Sequence, residues 1–526
     1  MPRAVLPFCL GLILASPAAA ARWDPTPTFP WSYSVNGTEA ATDLAMGPFD
    51  SVWVAGNVTN GFNATSGRDV LAIMFSNTQT RVAWTATITA KPISTTIYDR
   101  DGLDEGPPSI AVMPHYFGST NVNIEQFLAF TSTRTGGVGE LTTWRLQGYF
   151  TTSSSPWFEN IHGNPCGAAG IAASGSGTPF SVGWTTANGV DQLFYVRQIR
   201  TSPTSTTFQP RVSATFWTGS LTLSVTGRAI AVDGPGNVWI AAQSGGDIEL
   251  FKYLPEYYED TYAVELFASP APGWPRRFVS PEWDEPLDAA RDATGALWVA
   301  GSIGGAGAVW KFDEYGNPAA GFPVRYSPGP PTVFRALTLD DSQNCYVTGS
   351  AGGNLVVTGW DRAGQVLAGF PLIVPAGADA AEGCGIGHEY GGALWIAATV
   401  TAAPGTWGGT RIALYRYVFV PDPPTIAAGQ VRILGPEGAV LNLARAERMS
   451  IMAWPTGGGS VVAEIRNLRG ELIRRLEDTG PGHQAVTIEW DGTNGAGQQV
   501  ASGTYACIVT GGGLNVVKRV VVIRRW

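Results

Sequence analysis

The chain has 526 residues, a formal charge of −9 and only 14% charged side chains. So sparse and acidic a balance leaves no basic stripe for a phosphate backbone and excludes nucleic-acid binding. Nineteen tryptophans, 66 glycines and 37 prolines suit an extracellular β-protein of many short strands, and the length calls for at least two domains.

Residues 1–20, MPRAVLPFCLGLILASPAAA, carry one early positive charge at Arg3, an apolar stretch around Leu10 to Ala15, and small residues at Ala18 to Ala20. That order predicts a secretory signal peptide cut after Ala20, or one residue later after Ala21. Cys9 lacks the small residues of a lipoprotein cleavage site. No later apolar run reaches spanning length, so the sequence predicts a soluble or surface-attached mature protein with no transmembrane segment.

From residue 21 to 420 one phrase recurs: an apolar strand, a turn with Asp or Gly, then a strand reading apolar-aromatic-apolar-small-small. It appears around Trp53, Trp239, Trp298, Tyr346 and Trp395, with weaker copies around Phe127 and Phe180. From Trp239 the steps are 59, 48 and 49 residues, the length of one four-stranded propeller blade. The spacing therefore predicts an all-β, seven-bladed β-propeller over 21–420. The last repeat has three strands, ending at Arg411 to Val420, while Phe29 to Val35 matches the fourth strands that begin GFPVRY at Gly321 and GFPLIV at Gly369. The N-terminus is thus expected to complete the last blade and remove its open edge.

A proline-rich linker over 421–429 precedes a segment, 430–526, of alternating runs and glycine-rich turns. It is expected to form an Ig-like β-sandwich of about seven strands, with tight turns at Asp491-Gly492 and Asn494-Gly495. Its residues Asn467 to Gly470, Trp490 to Asn494, Gly497, Ala501 to Tyr505 and the closing strand Lys518 to Arg524 resemble the FlgD-like Ig domain of flagellar hook-capping proteins. That resemblance covers about 90 residues. It implies a Gram-negative bacterial source and a secreted or cell-surface destination, with the domain acting in sorting or anchoring through the type IX secretion machinery of the outer membrane. The repeats resemble secreted bacterial propeller repeats of the SBBP or NHL-like kind, which says little about function.

Aligned on their anchors, the repeats place polar groups near the start of the innermost strand: Asp43 and Asp288, Arg228 and Arg335, Glu285 and Glu382. Asp43, Arg228, Asp288, Arg335 and Glu382 are expected to ring a channel mouth, either contacting a small ligand or water-bridged ion, or simply pairing with one another in solvent. His388 is the acid-base candidate of that region or else a structural histidine. Cys345 and Cys384, in neighbouring repeats, form either a disulfide or two buried thiols. No zinc-ligand spacing, calcium loop, HExxH or GxSxG occurs, so no catalytic residue, metal or cofactor is assigned. The Gly383 to Gly387 run resembles a nucleotide loop but precedes a strand rather than a helix. The expected function is an extracellular binding or scaffold module for a protein or glycan ligand. The alternative is a secreted lyase or glycan-active propeller enzyme using the channel-mouth carboxylates.

Overall fold

The computed structural model describes residues 22–26, 29–34, 37–47, 51–59, 67–75, 94–98, 104–117, 121–133, 139–147, 157–159, 166–173, 179–187, 189–200, 208–216, 224–233, 236–254, 270–389, 392–404, 409–420, 429–434, 439–443, 448–457, 460–478 and 486–524. The signal peptide and residues 421–428 of the linker lie outside them. All regular structure among these residues is β, apart from a single 3-10 position, and no helix is long and apolar enough to cross a membrane. Internal contacts divide the chain into a unit ending at Pro421 and a second beginning at Asp422.

Among the described residues, the first unit holds seven antiparallel sheets of four or five strands, in chain order. Their first strands are Ala40–Met46, Ser109–Phe117, Cys166–Ala173, Val225–Val232, Asp284–Arg291, Thr332–Leu339 and Ala380–His388. Each touches the first strand of the next sheet, and Ala380–His388 returns to Ala40–Met46, so the contacts form a closed cycle. The chain meanders because its hairpins carry the required glycines. At Gly245-Gly246, Gly304-Gly305 and Gly352-Gly353 both residues have positive φ, the two-residue turn that matches strand twist.

The N-terminus joins the last sheet as the sequence predicts, and with more chain than predicted. Trp31–Tyr33 pairs with Thr410–Val420 through Trp31↔Leu414 and Tyr33↔Ile412, and Arg22–Pro25 continues along the same strand through Arg22↔Val420. Trp31 then packs edge-on against Phe75 of the first sheet at 4.8 Å between centroids.

The anchors Trp239, Trp298, Tyr346 and Trp395 are buried on second strands. Each receives the ring of an aromatic residue that precedes a cis proline: Trp274 on Trp239, Phe322 on Trp298, Phe370 on Tyr346 and Phe29 on Trp395. Three of these crossings stand at 88°, the edge-to-face geometry that the ring quadrupole favours. Phe29-Pro30 thus repeats, in the last sheet, the role of Phe322-Pro323 and Phe370-Pro371.

The second unit packs a three-stranded sheet (Val431–Leu434, Met449–Ala453, Val486–Trp490) with a five-stranded one (Val440–Asn442, Leu514–Ile523, Gly503–Gly511, Val461–Arg466, Leu472–Asp478). Both contribute to one apolar cluster that includes Ile451, Trp490, Ile465 and Cys507. These are eight strands where the sequence predicts about seven. Gly492 has a φ of 72° as expected of Asp491-Gly492. The Asn494-Gly495 expectation is corrected: Asn494 Oδ1 accepts the Ala496 and Gln498 amides, and Gly497 takes the positive φ of 76°.

Candidate functional site

The candidate polar residues lie where six of the first strands slip register against their second strands. The shifts fall between Ala41 and Asp43, Ala168 and Gly170, Gly227 and Ala229, Pro286 and Asp288, Phe334 and Ala336, and Gly383 and Gly385. A bulge sets two residues against one and re-aims the side chains around it. Arg228, Arg335 and Cys384 are the extra residues, and Asp43 and Asp288 follow the extra Thr42 and Leu287.

Asp43 and Asp288 are used alike. Asp43 Oδ1 accepts Leu44 N–H at 2.7 Å, and Oδ2 reaches the next sheet to accept Ile110 N–H at 2.9 Å. Asp288 Oδ1 accepts Ala289 N–H at 2.8 Å and Oδ2 accepts Leu337 N–H at 2.7 Å, again across to the next sheet. Each carboxylate therefore ties two neighbouring first strands together. The side chains keep a little accessible surface, but packed protein surrounds them and desolvation dominates their titration. It pushes Asp43 up to about 8, with the Asp288 charge adding to the rise, and Asp288 up to about 7, against the amide donors that favour ionisation.

Arg335 and Glu382, from the sixth and seventh sheets, form an ion pair through Nε and Oε1, with side chains 44% and 36% exposed. Glu285 lies within electrostatic reach of Arg335. Arg228 Nε is buried without a hydrogen-bond partner among the described residues.

His388 does not join this group. It ends the strand on which Glu382 is the third residue, about 20 Å along an extended chain, and stacks on Tyr346 at 5.8 Å and 8°. Burial lowers its pKa, opposed by Asp340, Asp341 and Glu389, so it is neutral at pH 7.

No group of three His, Cys, Asp or Glu able to hold a metal ion occurs among the described residues. Cys345, Cys384 and Cys507 are free and buried, which decides between the two readings of Cys345 and Cys384 in favour of single thiols. The glycine run also has a plain use. A Cβ on Gly383 would strike Thr348 Oγ1, on Gly385 Leu44 N, and on Gly387 Met46 Cγ, so these glycines let the seventh first strand approach both neighbours. Asn57 is buried and donates its amide to Asp69 O and Gly106 O.

Sequence reading missed the partners of the anchors. Six residues before three of them stands an acid that accepts from the ring: Asp292 from Trp298 Nε1, Asp340 from Tyr346 Oη and Glu389 from Trp395 Nε1, each at 3.0 Å. On the neighbouring strand a cation covers the indole, Lys311 at 4.3 Å from Trp298 and Arg416 at 5.5 Å from Trp395. The six-residue spacing is visible in the sequence and was the available signal.

In the second unit, Asp491 Oδ1 accepts the Thr493 amide and hydroxyl, Trp490 Nε1 donates to Thr493 O, and Tyr505 Oη donates to Ala501 O. These bonds lock the Trp490 to Asn494 turn and the Ala501 to Tyr505 corner. Residues 441–513 match the FlgD Ig-like domain. The match takes in the resembling residues from Asn467 to Tyr505 and ends before the closing strand Leu514–Ile523, so the resemblance of Lys518 to Arg524 lies outside it.

No curated protein matches the chain. Among solved structures, a fungal alcohol oxidase of the AA5 family in complex with copper is 11% identical and covers 96% of this chain and 100% of its own, at a TM-score of 0.40. The polysaccharide lyase Uly1 is 11% identical, covers 76% and 97%, and scores 0.41. PorZ, a surface component of the type IX secretion system of Porphyromonas gingivalis, is 11% identical, covers 92% and 81%, and scores 0.23. Likenesses this distant carry no inference about chemistry.

Proposed function

We propose that residues 21–420 form a closed seven-bladed β-propeller that is exported behind signal peptide 1–20. On this reading it acts as an extracellular binding or scaffold module, and the linker 421–429 joins it to an Ig-like domain, 430–526, that serves sorting or anchoring. The cycle of first strands, the paired N-terminal strands and the FlgD Ig-like match support this architecture. The observation that carries binding over catalysis is the use of Asp43 and Asp288. Both oxygens of each carboxylate accept backbone amides, and Glu382 is paired with Arg335, so Asp43, Asp288 and Glu382 are all engaged within the fold. Arg335, Glu382, Glu285 and Arg228 then form a charged rim for a protein or glycan ligand.

The enzyme reading retains one supporting observation, the rise of Asp43 and Asp288 toward neutral pH, which suits general acids. A glycan and metabolite binding screen on the full mature protein separates the two. The binding reading expects hits that weaken when Arg335→Ala and Glu382→Ala are combined, with no turnover of any hit. Equal affinity of the double variant for every hit rejects the rim, and product release from a bound glycan selects the enzyme.

A further inference from the structure

The loop entering the fifth sheet presents a tryptophan that the fold does not use. Ser280 N–H donates to Asp247 Oδ1 at 3.2 Å, and Ser280 Oγ lies 2.9 Å from both Glu282 O and Asp284 Oδ1. Glu282 N–H donates to Ser280 Oγ, Asp284 N–H to Gly246 O and Gly304 N–H to Trp283 O. On this closely tied loop Trp283 is 61% exposed. Part of its indole rests on the preceding hairpin, where a Cβ on Gly246 would lie 3.1 Å from Cε3. The ring is therefore seated rather than dangling, and most of it is bare.

Packing gives no reason for a ring there. The fifth, sixth and seventh sheets each begin by donating one amide to the second glycine of the preceding hairpin: Asp284 to Gly246, Thr332 to Gly305 and Ala381 to Gly353. The residue just before that donor is Trp283, Pro331 and Ala380 in turn. Proline and alanine meet the structural need, so the indole is surplus to it.

We propose that Trp283 is a stacking platform for a saccharide, with the neighbouring ion pair of Glu282 and Arg325 as its polar border. That pair joins at 2.7 Å with side chains 42% and 40% exposed, and Glu282 directly precedes Trp283 in the chain. A pyranose has the complementary shape, a C–H face for the indole and equatorial hydroxyls for the carboxylate and guanidinium. A protein partner is the poorer fit. It needs roughly 800 Å² on each side, whereas the exposed large apolar residues of the stretch 276–291 are Val279 and Trp283. The proposal does not rest on the reading of the Arg335–Glu382 rim.

The test is affinity electrophoresis of the full mature protein in gels containing laminarin, xylan, galactomannan or dextran. Wild type is expected to be retarded by at least one of them. Trp283→Ala should weaken that retardation about tenfold, the scale of one lost ring-stacking contact, while Trp283→Phe keeps most of it and Leu468→Ala, at an exposed apolar residue of the second unit, leaves it unchanged. An unchanged melting temperature in Trp283→Ala, expected for an exposed side chain, assigns the loss to the contact. Equal retardation of wild type and Trp283→Ala overturns the proposal, as does passage of wild type through all four gels without retardation.

Discussion

Asp288 Oδ2 crosses from one sheet to accept the Leu337 amide of the next, and Asp43 does the same for Ile110. The equivalent positions in the other first strands that slip register are Gly170, Ala229, Ala336 and Gly385, so two of these six strands carry a carboxylate bridge at that position. Both groups titrate above their unfolded range, which makes the bridges pH-dependent with a definite sign. Between pH 3.8 and the raised values of about 7 and 8, the folded chain holds protons that the unfolded chain has released. Stability from this source is therefore full below pH 3.8 and lost as the pH rises to about 8. Asp43→Asn combined with Asp288→Asn keeps an acceptor oxygen and cannot ionise. Its urea midpoint is expected to gain on wild type steadily from pH 4 to pH 8. A difference independent of pH removes the titration argument.

The fifth sheet shows the complete set of contacts around an anchor: Trp298 donates to Asp292, lies under Lys311 and receives the edge of Phe322. Trp298→Ala removes all three contacts and opens a cavity, for a loss of about 3–5 kcal/mol. Trp298→Phe keeps bulk but leaves the buried Asp292 oxygen without its indole donor, and should fall between. Chemical denaturation followed by near-ultraviolet circular dichroism measures both, and a midpoint equal to wild type in Trp298→Ala rejects the anchor's role. Anchors such as Trp53, Trp239, Trp298 and Trp395 were legible because a strand buried on both faces reads as an unbroken apolar run, and all seven anchors fall on second strands, from Val52–Thr59 through Ala393–Thr401. The bulges were not, since a register slip is a property of two strands together; hence the sequence reading of Asp43 and Asp288, as ligand contacts or mutually paired groups at a channel mouth, did not include the backbone amides they accept. His388 looked close to Glu382 because six residues are few in sequence, yet extended chain carries them far apart. Trp283 gave no signal, since its exposure is set by a hairpin some forty residues earlier.

Closure of the whole cycle depends on chain that is nearly 400 residues from its partner in sequence. Arg22–Pro25 and Trp31–Tyr33 line the outer edge of Thr410–Val420; Arg416 donates to Thr26 Oγ1 at 3.2 Å, and Phe29 stands against Trp395 at 5.1 Å. Trp23 packs with Tyr346 and Phe370 of the sixth sheet, while Trp31 meets Phe75 of the first. The segment therefore grips three consecutive sheets, the sixth, the seventh and the first, around the place where the cycle of first strands closes. Such a long loop is entropically costly to close, but the cost rises only with the logarithm of its length, and two buried aromatic rings at about 1.5–3 kcal/mol each are enough to offset much of it. Trp23→Ala combined with Phe29→Ala should lower the thermal midpoint and expose the last sheet first. Limited proteolysis is then expected to cut within residues 380–420 before cutting the fourth or fifth sheet, because an unlatched last sheet has one neighbour instead of two. If the double variant melts like wild type, or is cut first among the central sheets, the N-terminal strands are an appendage and the cycle is held by its first strands alone.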